Sequence, residues 1–164
     1  MRAYDEQSRG SQASPAEPPP LLGPSDFFAE LRKGVKATLP ADMRDFRTTR
    51  GRGRLMKLHF GEPAFHYEAW HHTGAGRLEV GLHFEGSAAE NDAALNFFRA
   101  RMVEVKAGLP RAELEPWDRG WSRLYETMPA ARLDDVVVRE AVGCMAAYIV
   151  TLQPLLDQFL RSRK

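Results

Sequence analysis

All five histidines of this 164-residue chain, His59, His66, His71, His72 and His83, fall within KLHFGEPAFHYEAWHHTGAGRLEVGLHFEG, residues 57 to 86, with Glu68, Glu79 and Glu85 among them. Imidazole nitrogens and carboxylate oxygens are the donors that zinc and related transition metals take from proteins. Histidine is also the side chain whose charge changes near neutral pH. The segment therefore supports three readings: a metal site, a pH-sensitive or binding surface, or the polar face of a sheet. No His-Glu-x-x-His helix motif is present, and the adjacent His71 and His72 of a strand would point to opposite faces.

The elements that must position these groups are strands. Met56, Leu58 and Phe60 alternate with Lys57 and His59, Phe65, Tyr67 and Ala69 with His66, Glu68 and Trp70, and Leu78, Val80, Leu82 and Phe84 with Glu79, His83 and Glu85. The short connections GEPA (61 to 64) and TGAG (73 to 76) make two successive hairpins. Closing the first from Phe60 to Phe65 sets His59 opposite His66, Leu58 opposite Tyr67 and Lys57 opposite Glu68. Closing the second from His72 to Arg77 sets Trp70 opposite Glu79, Glu68 opposite Gly81 and His66 opposite His83. Both registers gather the apolar residues on one face. The other face then carries a row of His59, His66 and His83 across three strands, with directly opposed Cβ atoms about 4.5 to 5.5 Å apart. Three such histidines are a candidate site for zinc or another transition metal, with Glu68 or Glu85 to orient a ligand or act as a general base. His71 falls on the apolar side.

A second candidate is the basic run DFRTTRGRGRLMK, which offers Arg47, Arg50, Arg52, Arg54 and Lys57 around two glycines. Guanidinium groups donate paired hydrogen bonds to phosphate, and Trp70 and His72 could stack on bases, so the set is a candidate surface for nucleic acid, another polyanion or a protein partner. Period two would put Arg50, Arg52 and Arg54 on the side of Met56, so the regular strand is expected to start near Arg54.

The rest of the chain supplies the layer that covers the apolar face. Residues 1 to 22, rich in Ser, Pro, Glu and Gln and containing PPP, are expected to form a disordered tail, leaving residues 23 to 164 as a single domain. Ser25 is expected to cap a short helix that Pro40 ends, and Ser87 with Glu90 forms a capping box for one helix over about 88 to 108. ELEPWDRGWSRLYETMP (113 to 129) reads as two strands about a turn near Asp118 to Gly120. An apolar stripe from Val137 to Phe159 predicts a helix over about 131 to 161 that Pro154 kinks or interrupts. The fold expected is α+β: a mainly antiparallel sheet of about five strands, two long helices on one face and a short N-terminal helix. Cys144 reads as a small buried hydrophobe. The first residues, MRAYDEQSRG, have no apolar core for a signal peptide, no run is long enough for a membrane span, and a cytoplasmic location is the default expectation. A formal charge of +1 excludes strong general attraction to nucleic acid or anionic membrane, leaving local clusters.

YEAWHHTGAGRLEVGLHFEG, the helix containing NDAALNFFRARM, and ELEPWDRGWSRLYETMP with its tryptophan Trp117 and arginine Arg123 resemble an uncharacterised domain found attached to restriction-endonuclease-like proteins. The resemblance spans roughly residues 54 to 160. It implies a connection to DNA handling and supplies no catalytic residue. Phosphate-loop, dinucleotide and nucleophile-elbow patterns are missing. The sequence thus leads to the expectation of a non-enzymatic binding protein that contacts nucleic acid or a protein partner. The alternatives are a metal-dependent enzyme built on the histidine row, and a structural protein that pairs as a homodimer through its polar sheet face.

Overall fold

A computed structural model of the protein describes residues 17–49 and 53–163. Residues 1 to 16 of the tail expected over 1 to 22, and Arg50 and Arg52 of the basic run, lie outside the described residues. Period-two alternation produces a fully antiparallel sheet of six strands, in the spatial order β1-β2-β3-β4-β6-β5. These are β1 (Arg47–Thr49), β2 (Leu55–His59), β3 (Phe65–His72), β4 (Arg77–Phe84), β5 (Glu113–Pro116) and β6 (Ser122–Pro129). The sixth strand, beyond the five expected, is β1, whose three exposed residues carry no apolar alternation that would reveal it.

Both hairpin registers read from the sequence are present. Lys57 faces Glu68 and Leu58 faces Tyr67 across β2 and β3, while His66 faces His83, Glu68 faces Gly81 and Trp70 faces Glu79 across β3 and β4. A slip of one residue would drive every apolar side chain of a strand out of the core, so burial fixes the register. Gly81 sets the spacing on the other side of β4. A Cβ there would meet the Leu124 carbonyl oxygen and the Tyr125 Cβ at 2.6 Å, closer than real contacts allow.

Helices close the apolar face. These are α1 (Pro24–Thr38), α2 (Ala88–Arg99), α3 (Met102–Gly108) and α4 (Asp135–Ser162). Gly23, not Ser25, is the N-cap of α1, because Pro24 takes the first helical position, where its fixed φ suits and its missing N–H is not needed. The capping box of α2 is formed: the Ser87 side chain accepts from the Glu90 amide while the Glu90 carboxylate accepts from the Ser87 amide.

The single helix expected over 88 to 108 is broken at Ala100 and Arg101. There the Arg101 guanidinium stacks on the Phe97 ring and donates to the Phe97 carbonyl, which the Arg101 backbone amide would otherwise use; that amide bonds Phe98 instead. Conversely, α4 runs unbroken through Pro154, whose lost hydrogen bond falls on an exposed turn. Asp134 caps its start by accepting from the Val136 and Val137 amides. Tyr67, Leu82, Phe84, Phe98, Tyr148, Ile149 and Leu152 are fully buried between the sheet and the helical layer.

Candidate metal centre

The polar face of the sheet is not a solvated surface. His66, Glu68, Glu79 and His83 are each less than 5% exposed. Oppositely charged and aromatic side chains pack closely on this face, Lys57 against Glu68 and Glu85 and Arg123 against Glu79. Arg123 is held between the rings of Trp117 and Tyr125, 3.5 and 3.9 Å from their centroids. From there it donates to Glu115 twice and to Glu79 at 2.7 Å.

At the centre of this layer lie His66 and Glu68 on β3 and His83 and Glu85 at the end of β4. One ligand atom from each can be chosen so that all four lie within 4.8 Å of one another. Two His-x-Glu triplets place them there. His66 and His83 are direct cross-strand partners, and each glutamate follows its histidine by two residues, so that antiparallel pairing puts one carboxylate on either side of the imidazole pair. The imidazoles stack with centroids 5.8 Å apart. His66 Nε2 lies 3.3 Å from Glu68 Oε2 and 3.6 Å from Glu85 Oε1. His83 Nδ1 lies 4.0 Å from Glu68 Oε2 and 3.8 Å from Glu85 Oε1. Metal bonds of about 2.0 to 2.2 Å give a tetrahedron with edges of about 3.4 Å. The four histidine-to-glutamate separations bracket that edge.

Hydrogen bonding outside the cluster decides which nitrogens face inward. His66 Nδ1 is 2.9 Å from the Pro63 carbonyl oxygen, and His83 Nε2 is 3.1 Å from Glu79 Oε1. A carbonyl and an ionised carboxylate can only accept, so these ring nitrogens carry the hydrogens. In a neutral ring, the lone pair then sits on His66 Nε2 and His83 Nδ1, facing carboxylate oxygens that also carry lone pairs. Such an arrangement is repulsive unless a cation, either protons or a metal ion, lies between the groups. Histidine metal ligands are oriented in this way, with the second nitrogen on a carbonyl or carboxylate.

Charge follows from this geometry. Burial opposes charging of His83, but hydrogen bonds to Glu79 and Glu85 and the charge of Glu68 outweigh it and raise its pKa to about 9. Burial would raise Glu85, yet His83, His66 and Lys57 hold it down at about 2. Glu68 and Glu79 are likewise lowered, against burial, by their histidine hydrogen bonds and the nearby cations. Lys57 Nζ bridges Glu85 at 3.0 Å and Glu68 at 3.3 Å on the more open side of the cluster. Counting Glu68, Glu79, Glu85 and Glu115 against Lys57 and Arg123, the network carries four negative and two positive charges before any histidine is protonated. One divalent ion would neutralise it.

The residues singled out in the sequence are distributed over several places. His66 and His83 share the four-residue group. His59 is outside that group: its ring is buried, its Nδ1 has no hydrogen-bond partner among the described residues, and burial together with the charge of Arg47 lowers its pKa. His71, on the apolar side, bonds the Ala130 carbonyl. His72 stacks on Trp70, with centroids 4.0 Å apart, and bonds Glu79, so this pair flanks the charge network.

The basic run does not converge on one spot among the described residues. Arg47 pairs with His59 at one end of β2, whereas Arg54 precedes the other end and donates to Thr73. Five residues at about 3.3 Å each separate those ends by about 16 Å. Lys57, also assigned to that run, points into the glutamates.

Glu79, Arg123 and Glu115 were not singled out by the sequence as site residues. The signal for the cluster was present in the repeated His-x-Glu spacing of HYE and HFE, which a search limited to histidines passes over. No known protein family, curated protein or solved structure matches this chain. No helix among the described residues is long and apolar enough to cross a membrane.

Proposed function

We propose that this protein binds one divalent transition-metal ion through His66, Glu68, His83 and Glu85 and works as a metal-dependent enzyme. The reading rests on one observation above all: two imidazoles with inward-facing nitrogens and two carboxylates whose ligand atoms lie within 4.8 Å of one another, in a network that carries two net negative charges before any histidine is protonated. Two nitrogens and two oxygens suit zinc.

The asymmetry of the site favours chemistry over a purely structural ion. His66, Glu68 and His83 are nearly inaccessible, while the side chains of Glu85 and Lys57 retain 17% and 22% exposure. Water or substrate would enter on the Glu85 side, where the Lys57 ammonium is placed to balance negative charge. A bound ion would supply Lewis acidity and activated water. Metal-assisted hydrolysis is the reaction class this supports.

Native mass spectrometry of tag-free protein after zinc addition tests the reading. One retained ion per chain is expected, lost in both His66→Ala and His83→Ala. A wild-type chain that retains none removes the proposal, as does retention unchanged in both variants.

A further inference from the structure

A cavity of about 750 Å³ lies on the far side of the sheet from His66 and His83, between β6, the end of α3 and the middle of α4. That is within the range that holds small organic ligands. Leu109, Met128 and Ala147 give it apolar wall, and the Glu126 carboxylate, the Tyr148 hydroxyl and Gly143 there take no part in the metal centre.

The first is Glu126, a carboxylate on the core side of the sheet, 8% exposed, whose Oε1 accepts from Arg111 at 2.6 Å while the arginine itself extends into solvent. The second is Tyr148, which lines the cavity and is completely buried, its hydroxyl beside Glu126 but without a well-formed hydrogen bond among the described residues. Burying a hydroxyl unpaired costs about 1 to 3 kcal/mol, a penalty that a ligand group could relieve. The third is Gly143. It lies inside α4, where glycine is unfavourable, and a Cβ there would meet nothing within 4 Å. Close packing therefore does not require this glycine; its effect is to leave the cavity wall open.

We infer that this cavity is a binding site for a small organic amine, with the ammonium group against Glu126 and the Tyr148 hydroxyl and the apolar body along Leu109, Met128 and Ala147. The acceptors available are a carboxylate and a hydroxyl, which match a donor-rich cationic head. Arg111 takes Oε1 of Glu126 from the solvent side, so the ligand ammonium would be received by Oε2. Arg111 and Arg139 against Glu126 and Glu140 leave the lining without net charge, so it imposes no net repulsion on such a ligand. The inference does not depend on the metal centre.

The test is amide chemical-shift mapping of the full chain with phenethylamine and, as its uncharged counterpart, 2-phenylethanol. Phenethylamine is expected to shift the amides of Glu126, Gly143, Cys144 and Tyr148 saturably, and 2-phenylethanol to bind at least about tenfold more weakly. Glu126→Gln should remove that preference, and Gly143→Phe, a helix-compatible change at an exposed position, should abolish binding by filling the cavity. Equal binding of the two probes, no shift by either, or unaltered binding to the Gly143 variant would overturn the inference. If Glu126→Gln fails to fold, the comparison of probes on wild type and the Gly143 variant still decides it.

Discussion

Metal affinity should rise steeply with pH because His83 holds a proton where the ion must bind. In the metal-free protein its pKa is raised to about 9 by the hydrogen bonds to Glu79 and Glu85 and the charge of Glu68, against the opposing effect of burial. His83 Nε2 is committed to Glu79, so the proton displaced by an ion is the one on Nδ1, which faces Glu68 and Glu85. Below that pKa, displacement of one proton costs a factor of ten in apparent affinity per pH unit, about 1.4 kcal/mol. From about pH 6.5 to pH 8.5 the zinc affinity should therefore increase about 100-fold, levelling off above about pH 9. Competition with a chromophoric chelator measures the affinity. Calorimetry in buffers of different ionisation enthalpy counts the proton, with close to one released per ion expected at neutral pH. Affinity independent of pH over that interval, or binding with no proton release, would refute the assignment of His83 Nδ1 as a ligand.

Other consequences are separable. Replacing Glu79 by Gln removes the charged acceptor behind His83 Nε2 and should lower metal affinity about 10- to 100-fold when compared above about pH 9, where proton competition no longer contributes; an unchanged affinity would deny Glu79 its orienting role. Lys57→Met removes a cation 3.0 and 3.3 Å from the two glutamates, so it should tighten zinc binding, and weaker binding in the chelator assay would show that Lys57 instead helps to hold the site. Without metal, the raised pKa of His83 stabilises the fold fully below its ordinary value near 6.5, and this contribution, on the order of 3 kcal/mol, is lost as pH rises through about 9. Glu85 acts with the opposite sign: its contribution is present above its ordinary value and lost as pH falls toward about 2. Urea unfolding of metal-free protein should thus be most resistant between about pH 4.5 and 6.5, and a midpoint that rises steadily to pH 9 would contradict the account.

The parts of the fold legible in the sequence are those where burial leaves a periodic trace. Leu58, Tyr67, Val80 and Leu82 alternate so regularly that two hairpin registers followed, and both are present. The capping box of Ser87 and Glu90 was legible because both halves are local. β1 was not, since Arg47, Thr48 and Thr49 are exposed and pair only through backbone. The break at Arg101 depends on where one guanidinium rests, which composition does not reveal.

For the site, pairing alone brought His66 to His83. It did not separate His59 from them, because strand register fixes Cβ positions and leaves the direction of each imidazole open. Those directions depend on the Pro63 carbonyl and on Glu79, and Glu79 is held in turn by Arg123, lodged between Trp117 and Tyr125 from β6 and the turn before it. Such contacts join residues far apart in the chain and have no periodic signature.

The central claim is that His66, Glu68, His83 and Glu85 enclose one ion. X-ray absorption at the zinc edge, on tag-free protein carrying one equivalent of zinc, tests it most directly. The expected first shell is two imidazole nitrogens with oxygen donors at about 2.0 to 2.2 Å, and the His83→Ala chain, which retains no ion, is expected to lose that shell. A shell with no imidazole scattering, or one unaltered by that substitution, would contradict the account.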